Sequence, residues 1–248
     1  MTVLNIVKKI KIIRSFERII FLYPLLFFYA EATGQTYYFD NYSTEEGLDQ
    51  SKVYTIMQDN NDYIWLGTEA GVSQFDGITF INYTTVNGLA EGGVRTIFQD
   101  SFGNMWLGHN GGGLTRYTDG KFEAVELSDS ILLNDIWSIV QDNDGKLWLT
   151  TWGDGAYVFQ NPDDKINNLK FEHYKGKSLS DIVYNSLLTS YGELYFLTDI
   201  GIKKYNRKEN NFENYVPEGF STYFQTIVMF EDSKKNLWFG TYNGGLIE

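Results

Sequence analysis

Aromatic residues recur along this chain at a nearly fixed interval, and that interval narrows the fold more than any other feature. Trp65, Trp106 and Trp148, then Tyr195 in a Trp place, then Trp238, lie 41, 42, 47 and 43 residues apart. A period near 42 is the length of one stacked structural unit, as in propellers and solenoids, where each unit buries its apolar faces only against its neighbours.

The segments around these aromatics repeat too. "DNNDYIWLGTEAGVSQF" begins at Asp59, "DSFGNMWLGHNGGGLTRY" at Asp100, "DNDGKLWLTTWGDGAYVF" at Asp142 and "DSKKNLWFGTYNGGLIE" at Asp232, with a worn copy, "SYGELYFLTDIGIKKY", at Ser190. Ahead of each Asp stands a β-forming stretch: "VYTIM", "VRTIF", "IWSIV" or "TIVMF". In the four better copies the Trp comes six residues after the Asp, with turn residues such as Asp144-Gly145 between them, a hairpin signal. A third segment places Phe75, Tyr117, Phe159 or Tyr205 after a glycine cluster, and a fourth carries Phe80/Tyr83, Phe122/Val125, Phe171/Tyr174 or Phe212/Tyr215. Four short strands per unit is the pattern of a propeller blade. The expected fold class is all-β, a β-propeller of four-stranded antiparallel blades, with about five repeats forming part of a larger ring.

The glycines of "NMWLGHNGGGLTRY" could cradle a phosphate only if a helix followed, and "GLTRYTDGKFEAVEL" has no helical period. They recur as "TEAG", "HNGGG", "WGDG", "TDIG" and "YNGG", where positive-φ turns between second and third strands are expected. By the same reasoning Trp65, Trp106, Trp148 and Trp238 are expected in the cores between blades and not in a ligand cage.

This pattern resembles the two-component regulator propeller family, whose repeat runs as an apolar strand, an Asp, a glycine turn, "lWiGT", a glycine pair and "l-x-r-y". "IFQDSFGNMWLGHNGGGLTRY" and "IMQDNNDYIWLGTEAGVSQF" carry it fully, "IVQDNDGKLWLTTWGDGAYVF" has Thr150 where Gly is usual, and the copy around Tyr195 lacks both Asp and Trp. WD and kelch repeats fit less well. The resemblance implies the N-terminal sensor part of a bacterial signalling protein, with glycans or other extracellular molecules as ligands and a homodimer formed through the full-length protein. The output domain, a kinase or phosphatase, would lie outside this segment.

Residues 37–43, "YYFDNYS", match a fourth strand, Phe39 and Tyr42 standing as Phe80 and Tyr83 do. Two readings follow: five blades close a small ring with "YYFDNYS" completing the last, or the chain is cut inside its fifth copy and belongs to a longer protein. The second is preferred, because ending within a strand leaves backbone groups unpaired.

The N-terminus gives a location. Lys8, Lys9, Lys11, Arg14 and Arg18 precede the apolar run "IIFLYPLLFFYA", and the small residues of "EATGQ" follow, the order of a secretory signal peptide. Residues 1–34 are therefore expected to be a signal peptide or an N-terminal anchor, with residues 35–248 the propeller, exported to the periplasmic or cell-surface side of the inner membrane. The part beyond residue 34 holds 15 basic and 30 acidic residues, a balance that repels phosphate backbones and makes nucleic acid an unexpected partner. The absence of cysteine rules out disulfides and thiolate metal sites.

No catalytic constellation stands out. The two histidines, His109 and His173, are expected as surface turn or strand residues and offer little for a triad or a three-His metal site. "DNDG" at Asp142 begins like a calcium loop, but Lys146 and Gly153 occupy the fifth and twelfth positions. No cofactor, metal or catalytic residue is expected. Loops entering the first strand of each blade gather at one end of the channel and differ most between copies. Gln50, Tyr54, Glu91, Arg95, Asn134 and Trp137 are the expected ligand-binding residues. A free-standing secreted propeller binding protein or glycan, and a propeller glycosidase or lyase, are the alternatives.

Overall fold

The computed structural model describes residues 39–125, 134–176, 179–218, 225–242 and 244–248. The expected leader, residues 1–34, lies outside them, and among the described residues no helix is long and apolar enough to cross a membrane. The propeller unit spans Tyr42–Glu248.

Five antiparallel sheets follow one another in the chain. Blade 1 is β1 (Val53–Gln58), β2 (Ile64–Thr68), β3 (Val72–Phe75) and β4 (Phe80–Tyr83). Blade 2 is β5 (Val94–Gln99), β6 (Met105–His109), β7 (Leu114–Thr118) and β8 (Lys121–Ala124). Blade 3 is β9 (Ile136–Gln141), β10 (Leu147–Thr151), β11 (Ala156–Phe159) and β12 (Phe171–Tyr174). Blade 4 is β13 (Val183–Leu188), β14 (Leu194–Thr198), β15 (Gly201–Asn206) and β16 (Asn211–Tyr215). Blade 5 has β17 (Thr226–Glu231), β18 (Leu237–Thr241) and β19 (Gly245–Ile247). The first strands β1, β5, β9, β13 and β17 lie side by side in that order and are the innermost. This is the expected β-propeller.

Of the stretch expected as a fourth strand, residues 37–43, only residues 39–43 are described. Residues 39–43 form no strand, and among the described residues β19 has no fourth strand beside it.

Each repeat signal has a physical role. The Asp folds the hairpin between first and second strands and at the same time anchors the Trp. Asp100 Oδ1 accepts from the N–H of Phe102 and of Asn104, both at 2.9 Å, while its Oδ2 accepts from Trp106 Nε1 at 2.8 Å. Asp59, Asp142 and Asp232 do the same for Trp65, Trp148 and Trp238. A buried indole N–H is thus satisfied and its ring orientation set, which explains the fixed spacing of six residues. The worn copy keeps the arrangement with other groups: Thr189 Oγ1 takes the Glu193 N–H, and Tyr195 donates its hydroxyl to Glu193 Oε2.

Successive residues of a second strand point to opposite faces, and both faces are covered. In β6, Met105 and Leu107 join Trp65, Val72 and Val94 in the core between blades 1 and 2. Trp106 points the other way, into the core with Ile136, Leu147 and Phe159 between blades 2 and 3. Two further cores fill the junctions of blades 3 and 4 and of blades 4 and 5. The expectation that the repeat tryptophans are core residues holds for Trp65, Trp106 and Trp148, all at most 1 % exposed. Trp238 is only half-buried, beside an apolar trough of about 310 Å³ lined by Val228, Phe230 and Leu246.

The glycine turn is a steric requirement. Gly111, Gly112 and Gly113 all have φ between 94° and 100°. At Gly155 a Cβ would stand 2.0 Å from the Tyr174 carbonyl oxygen on the neighbouring outer strand. His109 departs from expectation. It is a fully buried residue of β6 and not a surface turn residue, because it occupies the place taken by Thr68, Thr151, Thr198 and Thr241 in the other blades. Its Nε2 lies 2.7 Å from Thr115 Oγ1, and burial pushes its pKa down to about 4, opposed only in part by Glu91. His173 lies on the exposed outer strand β12, its ring stacked on Tyr157 at 4.2 Å.

Candidate ligand-binding site

Every blade has a β-bulge at the same place, near the start of its innermost strand. The register slips between Val53 and Thr55, Val94 and Thr96, Ile136 and Ser138, Val183 and Asn185, and Thr226 and Val228. The residue left unpaired is Tyr54, Arg95, Trp137, Tyr184 or Ile227. A bulge frees one side chain from the ladder and re-aims it. Five at equivalent positions present five side chains around one end of the propeller axis.

Four of the five meet in chain order. The Arg95 guanidinium lies 3.7 Å from the Trp137 ring centre and 5.8 Å from that of Tyr54. The second contact partner of Trp137 is Trp152, stacked at 5.0 Å with an interplanar angle of 23°. Tyr184 meets Trp137 at 5.8 Å and Trp152 at 5.5 Å. Its hydroxyl accepts from Gln225 Nε2 of the loop entering blade 5. The result is a continuous row, Tyr54, Arg95, Trp137, Trp152 and Tyr184, crossing four blades.

Burial lowers the pKa of Arg95 from its ordinary value, an effect opposed by the negative potential of Asp135 and by Tyr54. A guanidinium remains charged under such conditions. Asp135 forms no ion pair with Arg95, and its Oδ1 accepts from the Gly111 N–H at 2.6 Å. Trp137 Nε1 is buried and has no hydrogen-bond partner in the structure. Trp152 is 43 % exposed and gives the row an open aromatic face.

Of the six residues expected from sequence, Tyr54, Arg95 and Trp137 stand together in this row. Asn134 lies at its edge, exposed, with its amide nitrogen 3.4 Å from where a Cβ on Gly153 would be. Glu91 is exposed, its Oε1 taking the Gly92 N–H at 2.9 Å. Gln50 is exposed and makes no contact with the row among the described residues. Sequence reasoning missed Trp152, Tyr184 and Gln225. A signal for Trp152 existed: of the six tryptophans, only Trp137 and Trp152 fall outside the Asp-to-Trp spacing.

No group of three or more His, Cys, Asp and Glu capable of holding a metal occurs among the described residues. The stacked aromatics and the cation are suited to binding, through ring faces and the edge of the guanidinium.

Comparison with known proteins agrees with this architecture. The family model described as "Two component regulator propeller" matches residues 47–70, 88–111, 130–153 and 220–243. A stretch of 61 residues is 34 % identical to Histidine kinase P4 of Formosa agariphila, covering 25 % of this chain and 4 % of that protein. The extracellular domain of a putative hybrid two component system from B. thetaiotaomicron superposes with a TM-score of 0.69 at 22 % identity, over 84 % of this chain and 30 % of that one. A putative one component system from the same organism gives 0.66 at 20 % identity, over 82 % and 27 %. Virginiamycin B lyase from Staphylococcus aureus gives 0.60 at 16 %, over 79 % and 69 %. The chain thus spans under a third of the two sensor-system chains, and identities this low speak to the fold alone. Four of the five repeats thus match the two-component regulator propeller model, and the chain folds as a β-propeller.

Proposed function

We propose that this chain is an exported ligand-binding propeller, the sensing part of a transmembrane signalling protein of two-component type, with no catalysis in this segment. The observation that carries the reading is the repeated bulge: five blades give up a ladder position at the same site, and four of the freed side chains assemble with Trp152 into one partly open row. A purely structural repeat would gain nothing from presenting different large side chains there. Support for the signalling role comes from the matched repeats and from the extracellular domains with the same fold.

Binding at the row would bridge four blades, and so could favour one arrangement of the full-length protein, in a homodimer, over another. Such a bias needs different affinity for the two states and nothing else. Glycans are the first class to test, since an exposed indole face and a polar rim suit a sugar ring.

The test is a transcriptional reporter in cells carrying the natural gene, grown on a panel of polysaccharides. Wild type responds to at least one, and Trp152→Ala abolishes that response while the protein remains exported in normal amount. A response unchanged by Trp152→Ala overturns the reading.

A further inference from the structure

We propose that the row at the mouth takes a carboxylate-bearing saccharide, a uronic-acid-containing oligomer, with the carboxylate on the edge of the Arg95 guanidinium and a sugar face on Trp152. The inference rests on the mouth being a ligand site and names what that site selects.

Three arginines fall within the described residues, and two have acceptors in the protein. Arg116 donates to the carbonyls of Pro162 and Asp164, and Arg207 pairs with Asp144 at 2.6 Å. Arg95 has neither a hydrogen bond nor an ion pair among the described residues, although it is partly buried. A buried cation usually takes a carboxylate partner. The nearby candidate, Asp135, has one oxygen committed to Gly111.

The Arg95 guanidinium carbon lies 3.7 Å from the Trp137 ring centre, and its N–H donors, without an acceptor among the described residues, form a fork that matches a carboxylate bidentately. The group is therefore held in place before the ligand arrives, which lowers the ordering cost of binding. The charge balance of the whole chain gives no general attraction for anions, so recognition has to be local. Beside Arg95, Trp152 offers an exposed ring, and Asn134 and Gln225 offer amides for hydroxyl groups at the rim. A ring bearing both hydroxyls and one carboxylate uses all of these together.

The experiment is titration calorimetry of the purified chain with trigalacturonate and with its methyl ester, which has the same rings without charge, alongside a neutral galactan oligomer. The acid is expected to bind at least about ten-fold more tightly than the ester, the scale of one charge-assisted contact. Arg95→Gln is expected to erase that preference, acid and ester then binding alike, and Arg95→Lys to restore only part of it. Circular dichroism checks that the variants fold. Equal binding of acid and ester, a preference that survives Arg95→Gln, or no binding of the uronate at millimolar concentration each overturns the proposal. If the neutral oligomer binds and Trp152→Ala weakens it, the mouth stands as a ligand site while the carboxylate inference fails. If Trp152→Ala changes no binding at all, the mouth reading falls as well.

Discussion

At the residue scale, the repeat is held by one carboxylate doing two jobs. Asp100 closes a turn with one oxygen and holds a buried indole with the other, so Asp100→Ala takes the acceptor from four donors, two of them backbone N–H groups and two the side chains of Asn104 and Trp106. The expected loss is about 3 kcal/mol in urea unfolding, and Asp232→Ala is expected to cost less, because Trp238 is only half-buried and its donor can reach water. This much was legible in the sequence, since the six-residue spacing reflects a bond. His109 was not: it looks like part of a glycine turn, and only the register shows it filling a buried threonine place. Its pKa is about 4 folded and near the ordinary 6.5 unfolded. The unfolded chain therefore takes up a proton first as pH falls, and stability should drop by about 3 kcal/mol between pH 7 and pH 4. His109→Thr removes that part of the slope, as chemical denaturation across the pH range would record.

At the element scale, neighbouring blades approach closely enough that single methyl groups count. A Cβ on Gly108 would stand 2.6 Å from Ile136 Cγ2 in the next blade, so Gly108→Ala should destabilise by about 1–3 kcal/mol, visible as a lower Tm. In blade 3 the equivalent position is Thr150, whose hydroxyl is buried without a partner. Thr150→Val keeps the shape and removes the unpaired group, and is expected to raise stability by about 1 kcal/mol. Strand count and order followed from hydrophobic alternation and turn residues. The bulges did not, because one extra residue in a strand leaves no mark on composition. Tyr54, Arg95 and Trp137 were noticed only because they vary between copies. Tyr184 was hidden in the worn repeat, and Trp152 was taken for part of the "WGDG" turn.

At the scale of the whole molecule, stability is a sum over blade junctions and not the property of one core. Four such cores are present, one at each junction of successive blades. Among the described residues blade 5 packs only against blade 4, so amides of β18 should exchange with solvent faster than those of β10, its equivalent in blade 3, in hydrogen-exchange mass spectrometry. Ligand binding adds a bridge across blades 1 to 4 at the mouth. The most direct measurement is fluorine NMR of the chain labelled with 5-fluorotryptophan, titrated with an oligosaccharide to which the wild-type cells respond. The resonances of Trp137 and Trp152 should shift while those of Trp65, Trp106, Trp148 and Trp238 stay in place. Shifts confined to the core tryptophans, or no shift at saturating ligand, would show that the row of side chains freed by the bulges is not where this propeller binds.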